Sequence, residues 1–219
     1  MDDENPNRPI RPLYDVWLKP RRVFRELAAT PVGRTDYLLA AAQGMVSWLA
    51  LCRAQSAGLH SGVVEIFGKA LIAGPVAGIL GIILMTAVYT GIGRRAGGGA
   101  RREQVFHVLA YGGVPLVGSL GLWAVTALLL GPTAFVENRP AGLELFPSLL
   151  LQFQSIVHIV LIGWSLLIQV MGFSEVEGLA TRRAFGVWVI GQLLVLFAVI
   201  ILAIVVFGPD LSGVPGPPT

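Results

Sequence analysis

Five long apolar segments, separated by short polar stretches, dominate the pattern of this sequence. Four carry no charged residue and cover 70–92, 108–131, 148–173 and 185–207, whereas the first, 37–59, carries Arg53. A helix needs about 20 apolar residues to cross the roughly 30 Å hydrocarbon core of a bilayer. Strands of a membrane barrel alternate apolar and polar residues over about ten positions, which these continuous runs do not do. The pattern therefore predicts an all-α membrane protein, a bundle of five transmembrane helices.

The polar arm before the first span, 1–36, is predicted to contain a short amphipathic helix at 20–28. Four apolar residues fall on one side of this helix and three arginines on the other: Val23, Phe24, Leu27 and Ala28 against Arg21, Arg22 and Arg25. Such a helix is suited to lying on an anionic membrane surface. The alternative is that it packs on the rest of the protein. The Pro- and Gly-rich end, 208–219, is predicted to be a flexible tail.

The distribution of lysine and arginine predicts the orientation. Thirteen of the sixteen lie in the N-terminal arm, the loop after the second span and the loop after the fourth. Cytoplasmic loops carry the excess of these residues, so the N-terminus is expected in the cytoplasm and the C-terminus outside. Seven arginines are expected to contact lipid phosphates: Arg21, Arg22, Arg25, Arg94, Arg95, Arg101 and Arg102.

Composition supports a lipid environment. Apolar residues make up 54% of the chain and charged residues 13%, against roughly 25% charged in soluble proteins. A single cysteine, Cys52, excludes a disulfide within the chain and a cysteine metal site. The protein is therefore expected in a membrane.

The stretch "GIGRRAGGGARREQ", 91–104, begins with the glycine pattern of a dinucleotide-binding turn. That turn follows a short strand and opens a helix, with an acidic residue about 20 positions on. Here an apolar span precedes the glycines and position 111 is Tyr. The stretch is therefore interpreted as a helix end followed by a flexible, arginine-rich cytosolic loop.

Several of these features together resemble the Yip domain family, membrane proteins named in eukaryotes for interaction with Ypt/Rab GTPases. The resemblance covers about 15–207 and rests on "WLKPRRVFRELAATP", "HVLAYGGVP", "IGWSLLIQVMGFS" and "EGLATRRAF". Its positions are Pro20, Phe24, Gly97–Gly99, Tyr111, Pro115, Trp164, Gly172, Ser174 and Ala184. The resemblance implies five membrane helices, a cytosolic N-terminus and, in eukaryotes, roles in vesicle trafficking and membrane shaping. The short chain is similar to the prokaryotic members, which implies no Rab partner and a location in the cytoplasmic membrane of a prokaryote.

A polar stripe marks the fourth span, because Gln154, His158, Ser165 and Gln169 fall on one helix face. Polar residues in a membrane helix usually face the bundle interior. One interpretation is a path for a solute or ions, with His158 as the titrating group. The other is hydrogen bonding between helices.

The second span carries a face of small residues, Gly74, Gly78 and Gly81. Such residues let two helix backbones approach closely, within one chain or between chains. Pro75 can kink this helix, and Pro115 can kink or begin the third span.

The histidines of the sequence fit neither a catalytic triad nor a metal-ligand spacing. His60 lies near Glu65 and His107 near Glu103, without the rest of either pattern, and no acidic residue lies near His158 in its span. Glu175 and Glu177 are interpreted as forming local ion pairs with Arg182 and Arg183. The sequence therefore favours a protein without enzymatic activity or cofactor that organises a membrane or recruits partners. Its expected partners are lipids, a membrane protein or a second copy, and no nucleic acid. A small-solute or ion transporter is the alternative.

Overall fold

The computed structural model describes residues 10–137 and 145–207, and these residues form helices and no strands. The helices are α1 (Pro12–Asp15), α2 (Pro20–Leu27), α3 (Arg34–Ala54), α4 (Val63–Arg95), α5 (Arg102–Gly112), α6 (Val114–Leu130), α7 (Leu145–Glu177) and α8 (Thr181–Phe207). Two short 3₁₀ turns, Ala57–Leu59 and Gly131–Phe135, lie between them. The all-α prediction is confirmed for this part of the chain, and the tail predicted at 208–219 lies outside it.

Four helical segments are long and apolar enough to cross a membrane, among the residues that the structure describes. They are Val63–Arg95, Arg102–Phe135, Leu145–Glu177 and Thr181–Ala198. The predicted first span corresponds to α3, which is not one of the four. It has 21 residues, enough for about 31 Å of helix, but it includes Arg34, Asp36 and Arg53.

The α3 helix nevertheless runs the length of the bundle. Near its start, Asp36 contacts His107 of α5, and near its end Arg53 donates to Ser155 of α7. Five consecutive passes therefore connect two ends of the molecule. We call the end formed by residues 19–36, 93–107 and 174–184 the basic end, and the end formed by 53–63 and 130–137 the opposite end.

The predicted third span is interrupted between α5 and α6. Pro115 lies in the first turn of α6, where its missing N–H is tolerated. The last carbonyls of a helix lack partners within that helix. Here the side-chain amide of Gln43 donates to the carbonyl oxygens of Leu109 and Ala110, at 3.4 and 2.9 Å. A polar residue of α3 therefore supports the break between two apolar helices.

Two clusters of buried apolar side chains hold the passes together. The larger cluster joins α2 to α5, α7 and α8 and includes Phe24, Tyr89 and Phe173. The rings of Tyr89 and Phe173 stack with 4.9 Å between their centroids. The smaller cluster, which includes Trp123 and Phe135, lies near the opposite end. The tighter framework thus lies at the basic end, where the N-terminal arm is bound.

Candidate functional site

The polar stripe of α7 is divided between different environments. Gln154 and Ser165 are both 2% exposed, and the Oε1 of Gln154 and the Oγ of Ser165 have no hydrogen-bond partner among the described residues. Gln169 accepts a hydrogen bond from the indole Nε1 of Trp188, at 2.9 Å. His158 is half-buried and packs edge-on against the ring of Trp123. One member of the stripe thus bonds α7 to α8, as expected for a structural role.

A cavity of about 220 Å³ with a mixed polar and apolar lining lies at the opposite end and reaches two members of the stripe, Gln154 and His158. Arg53, Glu137 and Ser155 also line it. A site of this size holds several water molecules, and its donors and acceptors can bind them or a small polar solute. Ser165 and Gln169 do not line this cavity, so it reaches only the part of the stripe nearest the opposite end.

Two of the three small residues predicted on α4, Gly74 and Gly78, meet Gly44 of α3. A Cβ at Gly44 would overlap the carbonyl oxygen of Gly74 and would lie 2.6 Å from the Cα of Gly78. At Gly78, a Cβ would lie 2.8 Å from the Cα of Gly44. These three glycines therefore let the backbones of α3 and α4 touch. Gly81 differs, because a Cβ there would meet no atom within 4 Å.

At the basic end, α2 packs on its own protein. Val23 and Phe24 are fully buried, and Leu27 is buried as well. The ring of Phe24 lies against Gly172 of α7 and Val108 of α5, where any larger residue at 172 would collide with it. The apolar face of α2 is therefore covered by the bundle. This corrects the expectation that this face inserts into a lipid surface and favours the alternative of packing on the protein.

Four of the seven arginines expected to contact lipid bind protein groups. Arg21 donates to Thr181 Oγ1 at 2.9 Å, and Arg22 pairs with Glu26 on the same helix. Arg25 pairs with Glu175 of α7 at 2.8 Å, and this hydrogen bond raises the pKa of Arg25 above its usual value. Arg101 donates to the carbonyl oxygen of Ala28. These contacts hold the N-terminal arm on the bundle.

The remaining three, Arg94, Arg95 and Arg102, are exposed. Arg182 and Arg183, at the start of α8, are exposed too. None of these five forms a hydrogen bond or an ion pair with the residues that the structure describes. The basic end therefore presents a group of exposed guanidinium groups next to the membrane-spanning helices.

The glycine-rich loop is held in place by Glu177, which is 4% exposed. Its Oε2 accepts the backbone N–H of Ala100 at 2.9 Å, and its backbone carbonyl accepts the N–H of Gly99 at 3.3 Å. A Cβ at Gly93 or Gly98 would lie 2.7 or 2.9 Å from the Cδ of this carboxyl group. The prediction of a freely flexible loop and of a local ion pair at Glu177 is therefore wrong: the glycines make room for a buried carboxylate.

Sequence reasoning missed a second buried acid at this end, Asp36. Its Oδ2 accepts the N–H of Gly33 at 2.8 Å, and its Oδ1 lies 2.6 Å from His107 Nδ1. The other ring nitrogen of His107 faces the carbonyl oxygen of Thr30 at 3.2 Å. Because acceptors face both nitrogens, the protonated imidazolium satisfies both. The sequence did contain an indication of this pair. Asp36 and His107 each directly precede a predicted span, and both spans were predicted to start on the same side of the membrane.

An all-α arrangement of long apolar helices, with a basic end and a bound N-terminal arm, defines a multi-pass integral membrane protein. The family model that matches this chain is the Yip1 domain, over residues 14–205. The chain therefore belongs to the Yip1 domain family, as the sequence motifs predicted. The comparisons with curated proteins and with solved structures gave no match.

Most positions on which the family resemblance rested lie at the basic end. Phe24 and Gly172 contact each other, and Pro20 and Ala184 are buried. Ser174 Oγ donates to the carbonyl oxygen of Leu179 at 2.8 Å, which stabilises the turn into α8. Trp164 differs, since it is 41% exposed on the outside of the bundle. The motif residues thus mainly build the basic end.

Proposed function

We propose that the chain is a non-enzymatic membrane adaptor, which organises the membrane or recruits a partner through its basic end. The observation that carries this proposal is the way the basic end is built. Ion pairs, hydrogen bonds and a buried aromatic ring hold the N-terminal arm and the glycine-rich loop in place. Five arginines are left exposed beside these fixed elements. A fixed surface with unneutralised charge is suited to binding an acidic partner without a cost for ordering loops.

The orientation belongs to the same proposal: the basic end faces the cytoplasm. In support, the arm, the loop at 96–101 and the turn at 178–180 all lie at that end, and cytoplasmic loops carry the excess of arginine. Alkaline phosphatase fused after Gly98 is expected to be inactive, and fused at the C-terminus active. Reversed activities would contradict the orientation.

The adaptor role is tested by purification in mild detergent. Wild-type protein is expected to carry a reproducible partner or to form a defined oligomer, measured by mass spectrometry and light scattering. Charge reversal at Arg102→Glu and Arg182→Glu is expected to reduce this association. Each exposed contact contributes up to about 1 kcal/mol, or roughly fivefold in affinity. A monomer without partners, from a preparation that leaves vesicle shape unchanged, would contradict the role.

Transport of a small solute or of ions is the second candidate, and the cavity that reaches His158 and Gln154 supports it. The test is flux into proteoliposomes. Transport predicts a flux that His158→Ala and Gln154→Leu reduce and that Gln169→Leu, outside the cavity, reduces less. The adaptor proposal predicts no flux above empty vesicles for any of these proteins.

A further inference from the structure

A groove of about 540 Å³ lies between the end of α4 and the start of α8, beside the basic end. Arg95 and Arg183 line it together with Ile92, Val187, Ile190 and Leu194. Its volume lies within the range of small-molecule pockets, roughly 300–1,000 Å³. The groove therefore combines two cationic groups with an apolar wall.

The charges of the groove are unbalanced. Neither Arg95 nor Arg183 pairs with an acid in the part of the chain that the structure describes, and no acidic residue is among those lining the groove. Two guanidinium groups next to a low-dielectric region attract an anion, and a phosphate accepts their hydrogen bonds in a forked geometry. A purely apolar partner helix would leave both charges unneutralised, so the charge favours an anionic occupant.

The apolar part of the groove has the length of one leaflet. From Arg183 to Leu194 the helix rises about 16 Å, at about 1.5 Å per residue. Half of the bilayer hydrocarbon core is about 15 Å. A second hollow continues along α8, from Ile190 and Leu194 to Phe197 and Ile200. Ile190 and Leu194 are half-exposed and form the open wall on which an acyl chain can lie.

We propose that this groove binds one anionic phospholipid. Arg95 and Arg183 hold its headgroup phosphate, and Ile92, Ile190 and Leu194 contact an acyl chain. Basic pockets between membrane helices are known to recognise such headgroups. Arg95 and Arg183 also belong to the basic end on which the adaptor proposal rests. The lipid site needs neither Arg102 nor Arg182 and no protein partner, so different variants test the two proposals.

The test is native mass spectrometry of the purified full chain with added phosphatidylglycerol, compared with phosphatidylcholine. Wild-type protein is expected to retain one phosphatidylglycerol and to bind phosphatidylcholine at least tenfold more weakly. The double variant Arg95→Ala, Arg183→Ala is expected to lose about thirtyfold in affinity, from two charges near the membrane surface. Arg102→Ala with Arg182→Ala removes the same charge outside the groove and is expected to retain the lipid.

A second variant tests the apolar part without changing the charge. Gly186 lines the groove, and a Cβ there meets no atom within 4 Å, so Gly186→Leu fills the space without a clash at its Cβ. It is expected to weaken phosphatidylglycerol binding, while thermal unfolding confirms that the variant is folded. Equal retention of the two lipids, equal loss in the two double-alanine variants, or binding of inorganic phosphate alone as tightly as of lipid would overturn the proposal.

Discussion

Replacing Gly172 by alanine tests whether the N-terminal arm is bound to the bundle through the ring of Phe24. The added Cβ would lie 2.7 Å from Phe24 Cε2, 2.8 Å from Cδ2 and 2.9 Å from Val108 Cγ1. The ring is fully buried and cannot move into open space. Overpacking of this kind costs about 1–3 kcal/mol. We therefore expect α2 to detach more often in the variant.

The matched control is Gly163→Ala on the same helix, where a Cβ meets no atom within 4 Å. Both variants gain the same helix propensity, about 1 kcal/mol. The difference between them therefore reports the clash of the new Cβ with Phe24 and Val108. The double variant Gly172→Ala, Phe24→Leu replaces the ring by a smaller side chain and is expected to recover part of the lost stability.

The assay is the rate at which a maleimide labels a cysteine that replaces Val23, a fully buried residue of α2. Cys52 is first replaced by serine, because it is the only native cysteine. A cost of about 1–3 kcal/mol corresponds to labelling about 5 to 150 times faster. Equal rates for Gly172→Ala and Gly163→Ala would refute the reasoning, since they would show that Phe24 does not fill this site in the membrane.

Three further predictions concern buried contacts. Glu177→Ala removes the acceptor of the buried Ala100 N–H, and leaving such a group unsatisfied costs about 1–3 kcal/mol. Trypsin should therefore cleave the glycine-rich loop faster, and an unchanged rate would show that Glu177 does not hold the loop. Asp36→Leu should lower the free energy of unfolding by about 3–5 kcal/mol because it leaves His107 without its buried partner. Adding His107→Leu should recover part of this loss, measured by thermal unfolding. A double variant no more stable than the single one would contradict the pairing. Gly78→Ala should destabilise the contact of α3 with α4 and Gly81→Ala should not, so equal melting temperatures would count against the observed packing.

The sequence predicted the helical class, the apolar cores of the later passes and the end at which the arginines gather. These follow from composition and run length, which a single sequence displays directly. The bounds were less accurate: α4, for example, extends to Val63 and Arg95 beyond the predicted 70–92, because helix continues past the hydrocarbon into polar residues. Pro115 allowed a kink or a helix start to be predicted within the third apolar run. The hydrogen bond from Gln43 that supports the break at Gly113 joins distant residues, and no local pattern indicates it.

The candidate sites were harder to predict because they depend on contacts between distant residues. Phe24 fits against Gly172 and Glu177 against the loop at Gly98. Both contacts depend on how distant segments pack together, which a hydrophobic pattern along the sequence does not predict. Arginine counts predicted a basic surface but not which side chains protein groups neutralise. Only the packing separates Arg25, paired with Glu175, from Arg95, which lines a groove.

The most direct test of the adaptor role is photo-crosslinking in intact membranes from the two ends of the molecule. A photoreactive amino acid is placed at Arg102, exposed at the basic end, or at His60, exposed at the opposite end. We predict a reproducible crosslink from position 102, to one partner or to a second copy, and none from position 60. Crosslinks to protein from position 60 alone, or from neither position, would contradict the claim that the basic end binds the partner.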